Sequence, residues 1–283
     1  MNAAITENDI INYYEQCQVD YEIVWHLNSQ MCMHYGYWDD TTSTLRSALR
    51  NMNAKLAAFA EIKPNEKILD AGCGVGGSSF FLSKNFGCEV EGITLSRRQV
   101  DYATQKAKEF GLQHAINFSV RNYLDTRFPD DYFDVVWAIE SVCHAPDKKK
   151  FLEEAFRILK KGGRLVVADF FSNGEEYNNN ADSWLQKWAN TWAVPSFECL
   201  DLFKTDARGM GFKNIHSRNI TSHIIPTAKR LYYCFIPGVI CDNFLRIFGK
   251  RTPLNKANVR STLYQYKSLK AGMWSYHFFK ATK

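Results

Sequence analysis

Ile68-Leu69-Asp70-Ala71-Gly72-Cys73-Gly74-Val75-Gly76-Gly77 is the stretch on which the fold turns. A short apolar run enters a glycine-dense turn, and helical spacing resumes at about residue 76. Glycine has no Cβ, so backbone amides in such a turn approach a bound molecule closely. A bare G-x-G-x-G also fits a dinucleotide site, where a pyrophosphate sits at a helix N-terminus. Asp70 discriminates: two residues before the first glycine, a carboxylate repels a pyrophosphate and attracts an ammonium. The stretch therefore favours a cofactor with a zwitterionic amino-acid end over a pyrophosphate, and both over an ordinary strand-to-helix turn.

Outward from this turn, strand and helix patterns alternate. Lys63-Pro64-Asn65-Glu66 is a turn signal, and strands are expected at 67–71, 88–93, 116–120, 133–138 and 164–170. Helices are expected at about 76–86, 96–110 and 147–160, the last stopped by Lys160-Lys161-Gly162-Gly163, which enters the next strand in a hairpin-like way. Such alternation predicts an α/β fold: a doubly wound, mostly parallel sheet with helices on both faces. Ahead of it, residues 7–30 carry Tyr13, Tyr14, Tyr21 and Trp25 at helical spacing, then a loop Met33-His34-Tyr35-Gly36-Tyr37-Trp38-Asp39-Asp40 and a helix at 43–60. Behind it, helices are expected at 180–192, 198–209, 226–248 and 255–272, and strands at 213–221 and 274–281. The long helical insertion before the closing strand has to sit over the open end of the sheet, together with the N-terminal helices, as a cap.

The 283 residues suffice for one substantial α/β core with insertions. Apolar residues make up 46% and charged residues 23%, values of a globular chain. A formal charge of +5, with basic residues interspersed among acids, does not make a nucleic-acid groove. The eight cysteines form no C-x-x-C pair and no zinc-like cluster with histidine, which fits reduced thiols in a cytosolic compartment. Met1 to Asp9 lacks a basic, then apolar, leader pattern, and no run of 18 apolar residues occurs, so a cytoplasmic protein is expected. Aromatic residues reach 14%, which reads either as ordinary core filling or as the lining of an apolar ligand cavity.

With the glycine turn in place, the segment resembles the first motif of class I S-adenosylmethionine-dependent methyltransferases, and the resemblance runs over about 65–170. It implies a seven-stranded Rossmann-like sheet, S-adenosylmethionine as cofactor, and Asp70, Gly72, Gly74 and Gly76 around its methionine end. Glu91-Gly92-Ile93-Thr94-Leu95-Ser96-Arg97-Arg98-Gln99 is similar to the tocopherol, sterol and cyclopropane-fatty-acid branch, with Thr94 where many class I enzymes carry an acidic residue. That likeness implies ribose contacts from Thr94, the Leu95 backbone and Gln99, with Ser96 beside them; Gln99 also reads as a plain exposed helix residue. In Arg121-Asn122-Tyr123-Leu124 the family places a polar side chain at the adenine edge. Asn122 both donates and accepts, as that edge requires, while Tyr123 stacks or merely packs.

The fourth match is Glu140-Ser141-Val142-Cys143-His144-Ala145-Pro146-Asp147, just past a buried strand at the carboxyl edge where open α/β sheets bind ligands. His144, with an ordinary pKa near 6.5, suits a general base at neutral pH, or else orders its loop. Glu140 is a second catalytic and cofactor-side candidate. By the same resemblance Tyr14, Tyr35 and Tyr37 close over cofactor and substrate, where aromatic faces favour a sulfonium. The reaction implied is in-line attack on the sulfonium methyl, with no metal required. A phenol, hydroxyl or amine acceptor would use His144 as base; an alkene carbon would lean on Glu140 and cap aromatics.

Three units follow: an N-terminal helical lid over 1–60, a cofactor-binding core over 61–225, and a helical cap insertion with the closing strand over 226–283. The expected partner is a small, largely apolar acceptor (terpenoid, aromatic, alkaloid or lipid-like; O-, N- or C-methylation) and not nucleic acid. Lys229, Arg230, Arg246, Lys250 and Arg251 surround apolar segments 231–236 and 244–248, which read either as a cavity-lining cap helix or as peripheral contact with a membrane surface. A nicotinamide-dependent oxidoreductase would need a carboxylate where Thr94 stands. A non-catalytic cofactor-binding module and an RNA methyltransferase are the other rivals, the latter lacking a basic stripe.

Overall fold

The computed structural model describes residues 6–25, 27 and 31–283; readings made above at 1–5, 26 and 28–30 lie outside the described residues. The core is built from β1 (Lys67–Ala71), α3 (Gly77–Phe86), β2 (Glu89–Thr94), α4 (Arg97–Glu109), β3 (Ile116–Val120), β4 (Phe133–Ile139), α5 (Lys148–Ile158) and β5 (Leu159–Ser172). It is preceded by α1 (Glu7–Val24) and α2 (Leu45–Ala60). It is followed by α6 (Glu175–Asn179), α7 (Trp184–Thr191), α8 (Leu200–Gly209), β6 (Lys213–Asn219), α9 (Thr221–Tyr233), α10 (Phe235–Ile247), α11 (Pro253–Lys270) and β7 (Trp274–Thr282).

The seven strands lie in the order β3-β2-β1-β4-β5-β7-β6. All pairings are parallel except those of β7, which runs antiparallel to both β5 and β6. The order reverses between β1 and β4, and at such a switch point the loops leaving the two strands diverge to opposite faces and open a crevice. Successive strand residues feed two apolar layers. Ile68, Trp137, Val166 and Phe170 join one with α2, α3 and α4, while Leu69, Val136, Leu165 and Phe171 join the other with α5 and α8. That two-sided burial is what a parallel sheet requires of its strands.

Capping chemistry sets the helix starts. Thr44 accepts from Ser47 N at the head of α2, Ser96 caps α4, and Thr252 with Asn255 forms a reciprocal box at α11, whose first residue is Pro253. Three sequence readings change. The strand expected at 164–170 begins at Leu159, because Gly162 adopts φ +79° and its amide bonds Lys283 O, so the backbone keeps its ladder through the Lys-Lys-Gly-Gly segment. The helix expected at 226–248 is two, and the 225/226 boundary falls inside the first, which starts at Thr221 and carries Pro226 past its first turn, where the ring removes one i→i−4 hydrogen bond. The strand expected to reach 221 ends at Asn219.

Phe170 in β5 is the hub of one layer. Its ring meets Tyr35, Trp188, Trp192, Trp274 and Tyr276 edge-on, with centroids 4.9 to 5.4 Å away. These rings belong to the N-terminal loop, α7, the segment after it, and β7, so one side chain joins cap to sheet. Phe170→Ala should cost about 3–5 kcal/mol of unfolding free energy in urea titration; a loss below about 1 kcal/mol would mean that the cluster is not what holds the cap down.

Candidate active site

A cleft enclosing about 970 Å³ of atom-free space opens at the β1/β4 switch point. Its floor is the turn after β1. Gly72 holds φ +84°, and a Cβ there would lie 2.4 Å from Ser141 Cβ. A Cβ on Gly77 would meet Met31 O at 2.1 Å, so the turn stays bare on both sides. Gly74 lines the cleft as well, whereas Gly76 does not: it is the N-cap of α3, at φ +90° and packed against Phe118.

Asp70 lies at the base of this cradle, 3% exposed, and accepts a hydrogen bond from Ser79 Oγ at 2.6 Å. Burial pushes its carboxyl up to about 6, against the pull of the Ser79 bond. At the end of β2 the Thr94 hydroxyl donates to Gln99 Oε1 at 2.6 Å, while Leu95 and Ser96 complete that wall. Tyr123 closes the side of β4 by donating its hydroxyl to Ser141 O at 2.9 Å.

Glu140 and His144 face the cleft from the segment after β4. Glu140 takes φ +49°, its amide bonding Ala168 O. Its Oε1 accepts from Tyr35 N at 2.6 Å and from Tyr276 Oη at 2.8 Å. Burial still holds this carboxyl well above the ordinary range. His144 sits on a single 3-10 turn, Val142–His144. Its Nδ1 lies 3.1 Å from Ala193 O, which can only accept, so Nδ1 carries the proton. Nε2 is then the acceptor for the Tyr14 hydroxyl at 2.8 Å. Burial lowers the His144 pKa to about 4, leaving the imidazole neutral.

Tyr14 thus reaches the cleft from α1, together with Ile10 and Ile11. Among the other residues named from the sequence, three go elsewhere. Asn122 donates its side-chain N–H to Glu7 Oε1 at 2.5 Å and accepts at Oδ1 from Leu124 N, tying α1 down and staying out of the cleft lining. Tyr35 offers the cleft only its amide: its hydroxyl donates to Gln265 Oε1 at 2.5 Å. Tyr37 stacks on His223, 4.1 Å between centroids, and also lines no part of the cleft. The Tyr35–Trp38 loop is locked rather than poised, since Trp38 bonds His223 O through its amide and Thr227 Oγ1 through its indole.

Sequence reasoning missed Arg121, which lines the cleft beside the Asn122 it had chosen; Arg121 Nη1 bonds Thr126 O at 2.6 Å and the guanidinium lies over Phe128. It also missed Met31 and Cys32, just ahead of the aromatic loop, and Met33 and His34, which open that loop but were not chosen as site residues.

A second cavity adjoins the first and shares Met33 and Glu140 with it. Tyr21, Trp25, Tyr35, Trp188, Trp192 and Leu231 give it aromatic and aliphatic walls, with polar Asp20, Asn258, Ser261, Thr262 and Gln265 along α1 and α11. Asp20 is already held by Arg251 at 2.5 Å and Asn258 at 3.1 Å.

These residues fit S-adenosylmethionine. A bare backbone cradle meets a buried carboxyl suited to an ammonium, a hydroxyl and an amide suited to ribose hydroxyls stand at β2, and no carboxylate stands at Thr94 as a nicotinamide enzyme would want. Comparison with known proteins agrees. Residues 69–167 match the family profile described as a methyltransferase domain. The chain is 33% identical over 222 residues to the 27-O-demethylrifamycin SV methyltransferase of Amycolatopsis mediterranei, covering 78% of this chain and 80% of that protein. It is 30% identical over 237 residues to the chloroplastic tocopherol O-methyltransferase of Arabidopsis thaliana, covering 77% of this chain and 66% of that longer one. The fold of the cyclopropane synthase MmaA2 from Mycobacterium tuberculosis superposes with a TM-score of 0.80 over all of both chains, at 15% identity. Nothing in these likenesses supports the nicotinamide or non-catalytic readings. The chain belongs to the S-adenosylmethionine-dependent methyltransferases of the class I fold.

Proposed function

We propose that this methyltransferase transfers its methyl group to a small, largely apolar acceptor of terpenoid, aromatic, alkaloid or lipid-like character. The observation that carries the reading is the aromatic-walled second cavity, which adjoins the cofactor cleft and shares Met33 and Glu140 with it. An apolar molecule gains by leaving water for such walls. The named relatives act, by their names, on a rifamycin and on tocopherol, which supports the same class.

Asp70 is assigned to the cofactor's ammonium, Gly72 and Gly74 to its carboxylate end, and Thr94 and Gln99 to its ribose. The cofactor supplies an electrophilic methyl on a sulfonium. The chain supplies alignment, a dry site and a route for one proton. For an O–H or N–H acceptor, that proton passes to Tyr14 Oη as the Tyr14 proton moves to His144 Nε2. A base held down at about 4 is strong enough, because a hydroxyl that is gaining a methyl becomes far more acidic than histidine as the bond forms. Glu140 carries the alternative: an acceptor carbon developing positive charge would find a buried carboxyl at the shared wall.

Three outcomes test this. Calorimetric titration with S-adenosylmethionine and NADH in parallel should show micromolar binding of the first alone, weakened at least about tenfold in Asp70→Asn, roughly one lost charged contact; binding of NADH instead would overturn the assignment. The same variant should be more stable without ligand. Asp70 has a folded pKa of about 6, above its ordinary 3.8, so its contribution to stability is full below 3.8 and lost as pH rises through 6. Asp70→Asn should therefore gain roughly 2–3 kcal/mol at pH 7 in denaturant titration, a gain that vanishes near pH 4.

With an acceptor identified by release of S-adenosylhomocysteine, the two groups separate by pH. kcat/KM for the cofactor should decline below about 6 as Asp70 protonates, while kcat at saturation stays level until pH approaches about 4, where His144 protonates. Tyr14→Phe and His144→Gln should each lower kcat about 10²–10⁴-fold. An inflection of kcat near 6.5 would remove His144 from the role given it.

A further inference from the structure

The connection from β6 to β7 carries a larger net positive charge than the chain as a whole. Residues 221–273 contain nine Lys and Arg and one acidic residue, so this segment is formally +8 and the rest of the chain −3. The one acid, Asp242, is buried and takes both Arg246 at 2.6 Å and Arg251 at 2.9 Å, so no carboxylate of the segment faces solvent. Lys229, exposed on α9 ahead of α10, and Lys250, exposed just past the end of α10, carry no ion pair among the described residues.

Between those lysines α10 turns an apolar face outward. Ile236, Ile240, Phe244 and Ile247 follow one another at spacings of four, four and three, which puts them on one side of a helix. They are 69, 66, 59 and 80% exposed. Tyr233 and Phe248 extend the row at either end, so six of the ten large exposed hydrophobic residues among those described lie within 16 positions. The row runs about 16 Å along the helix. No helix among the described residues is long and apolar enough to cross a membrane.

We propose that this face of α10 docks on an anionic lipid surface, lying in the plane of the headgroups with its isoleucines and phenylalanines inserted and Lys229 and Lys250 at the phosphates. A single convex helix edge suits a fluid surface that closes around it. Its charge selects the partner: a second copy meeting the same face about a two-fold axis would bring one +8 segment against another, whereas anionic headgroups neutralise it. The helices on either side of α10 line the second cavity, through Leu231 of α9 and Asn258, Ser261 and Thr262 of α11. Docking thus brings that cavity to the place where lipophilic molecules collect. This benefit rests on the proposed apolar acceptor; the docking itself does not.

Co-sedimentation of the full chain with phosphatidylcholine vesicles, with and without phosphatidylglycerol, tests it. Wild type should pellet with the anionic vesicles and be released by high salt. The double variant Ile240→Asp/Phe244→Asp should bind at least about tenfold less, and Lys229→Glu/Lys250→Glu should lose the preference for anionic lipid. All four positions are exposed, so unchanged melting and unchanged S-adenosylmethionine binding will certify the fold and keep a docking failure separate from a failure of the methyltransferase reading. Absence of vesicle binding in wild type, or binding that the aspartates leave intact, overturns the proposal. So does a light-scattering dimer that the aspartates convert to monomer, which would assign the face to a second copy.

Discussion

The buried carboxyl of Glu140 is the joint on which the site depends. It sits at the end of β4 with a left-handed backbone that a side chain adopts only at a cost of about 1–3 kcal/mol, and it leaves water for a place where a lone carboxyl is penalised further. Three bonds compensate: its amide to β5 at Ala168, and its Oε1 to the Tyr35 amide of the N-terminal loop and the Tyr276 hydroxyl of β7. Tyr35 and Tyr276 come from chain segments more than a hundred residues away on either side. Glu140 lines both the first cleft and the second cavity, together with Met33, so whatever fixes Glu140 shapes a wall of each.

The cleft as a whole follows the same economy. Asp70 and Glu140 are raised by burial, and His34 and His144 are lowered, so each is pushed toward its neutral form. For an arriving sulfonium with an ammonium this is a low-dielectric wall in which a single ionised carboxylate is strongly felt. The folded chain gives up stability at pH 7 to keep Asp70 there, a pattern expected where a group is retained for binding and not for packing.

The core was legible because its signals are local. An apolar five-residue run, a glycine turn and a capped helix declare themselves within ten or twenty positions, and the strands fall within a few residues of the patterns that announced them. The residues that strayed were those whose side chains answer to distant partners. Asn122 looked like an adenine contact, but Glu7 takes its amide; Tyr35 and Tyr37 looked like lid rings, but Gln265 and His223 hold them. Arg121 was one residue from the choice made, and only the exit of the chain from β3 decides which of two neighbours turns inward. No single-sequence pattern encodes these outcomes.

The cap shows why its specificity is hard to read from either end of the chain alone. Helix α1 is fastened to α11 by Arg251 to Asp20, Asn258 to Asp20, Tyr13 to Asn258 and Asn255 to the Gln16 carbonyl. The first helix and the last are therefore one unit, although about 240 residues separate their contacts. Tyr14 projects from that unit into the cofactor cleft while Tyr21 and Val24 line the second cavity. Because Tyr14, Tyr21 and Val24 share one helix, a displacement of α1 that widened the second cavity would also draw Tyr14 away from His144. On the proposed function, a substrate too large to let α1 seat would then lose the base as well as the dry site.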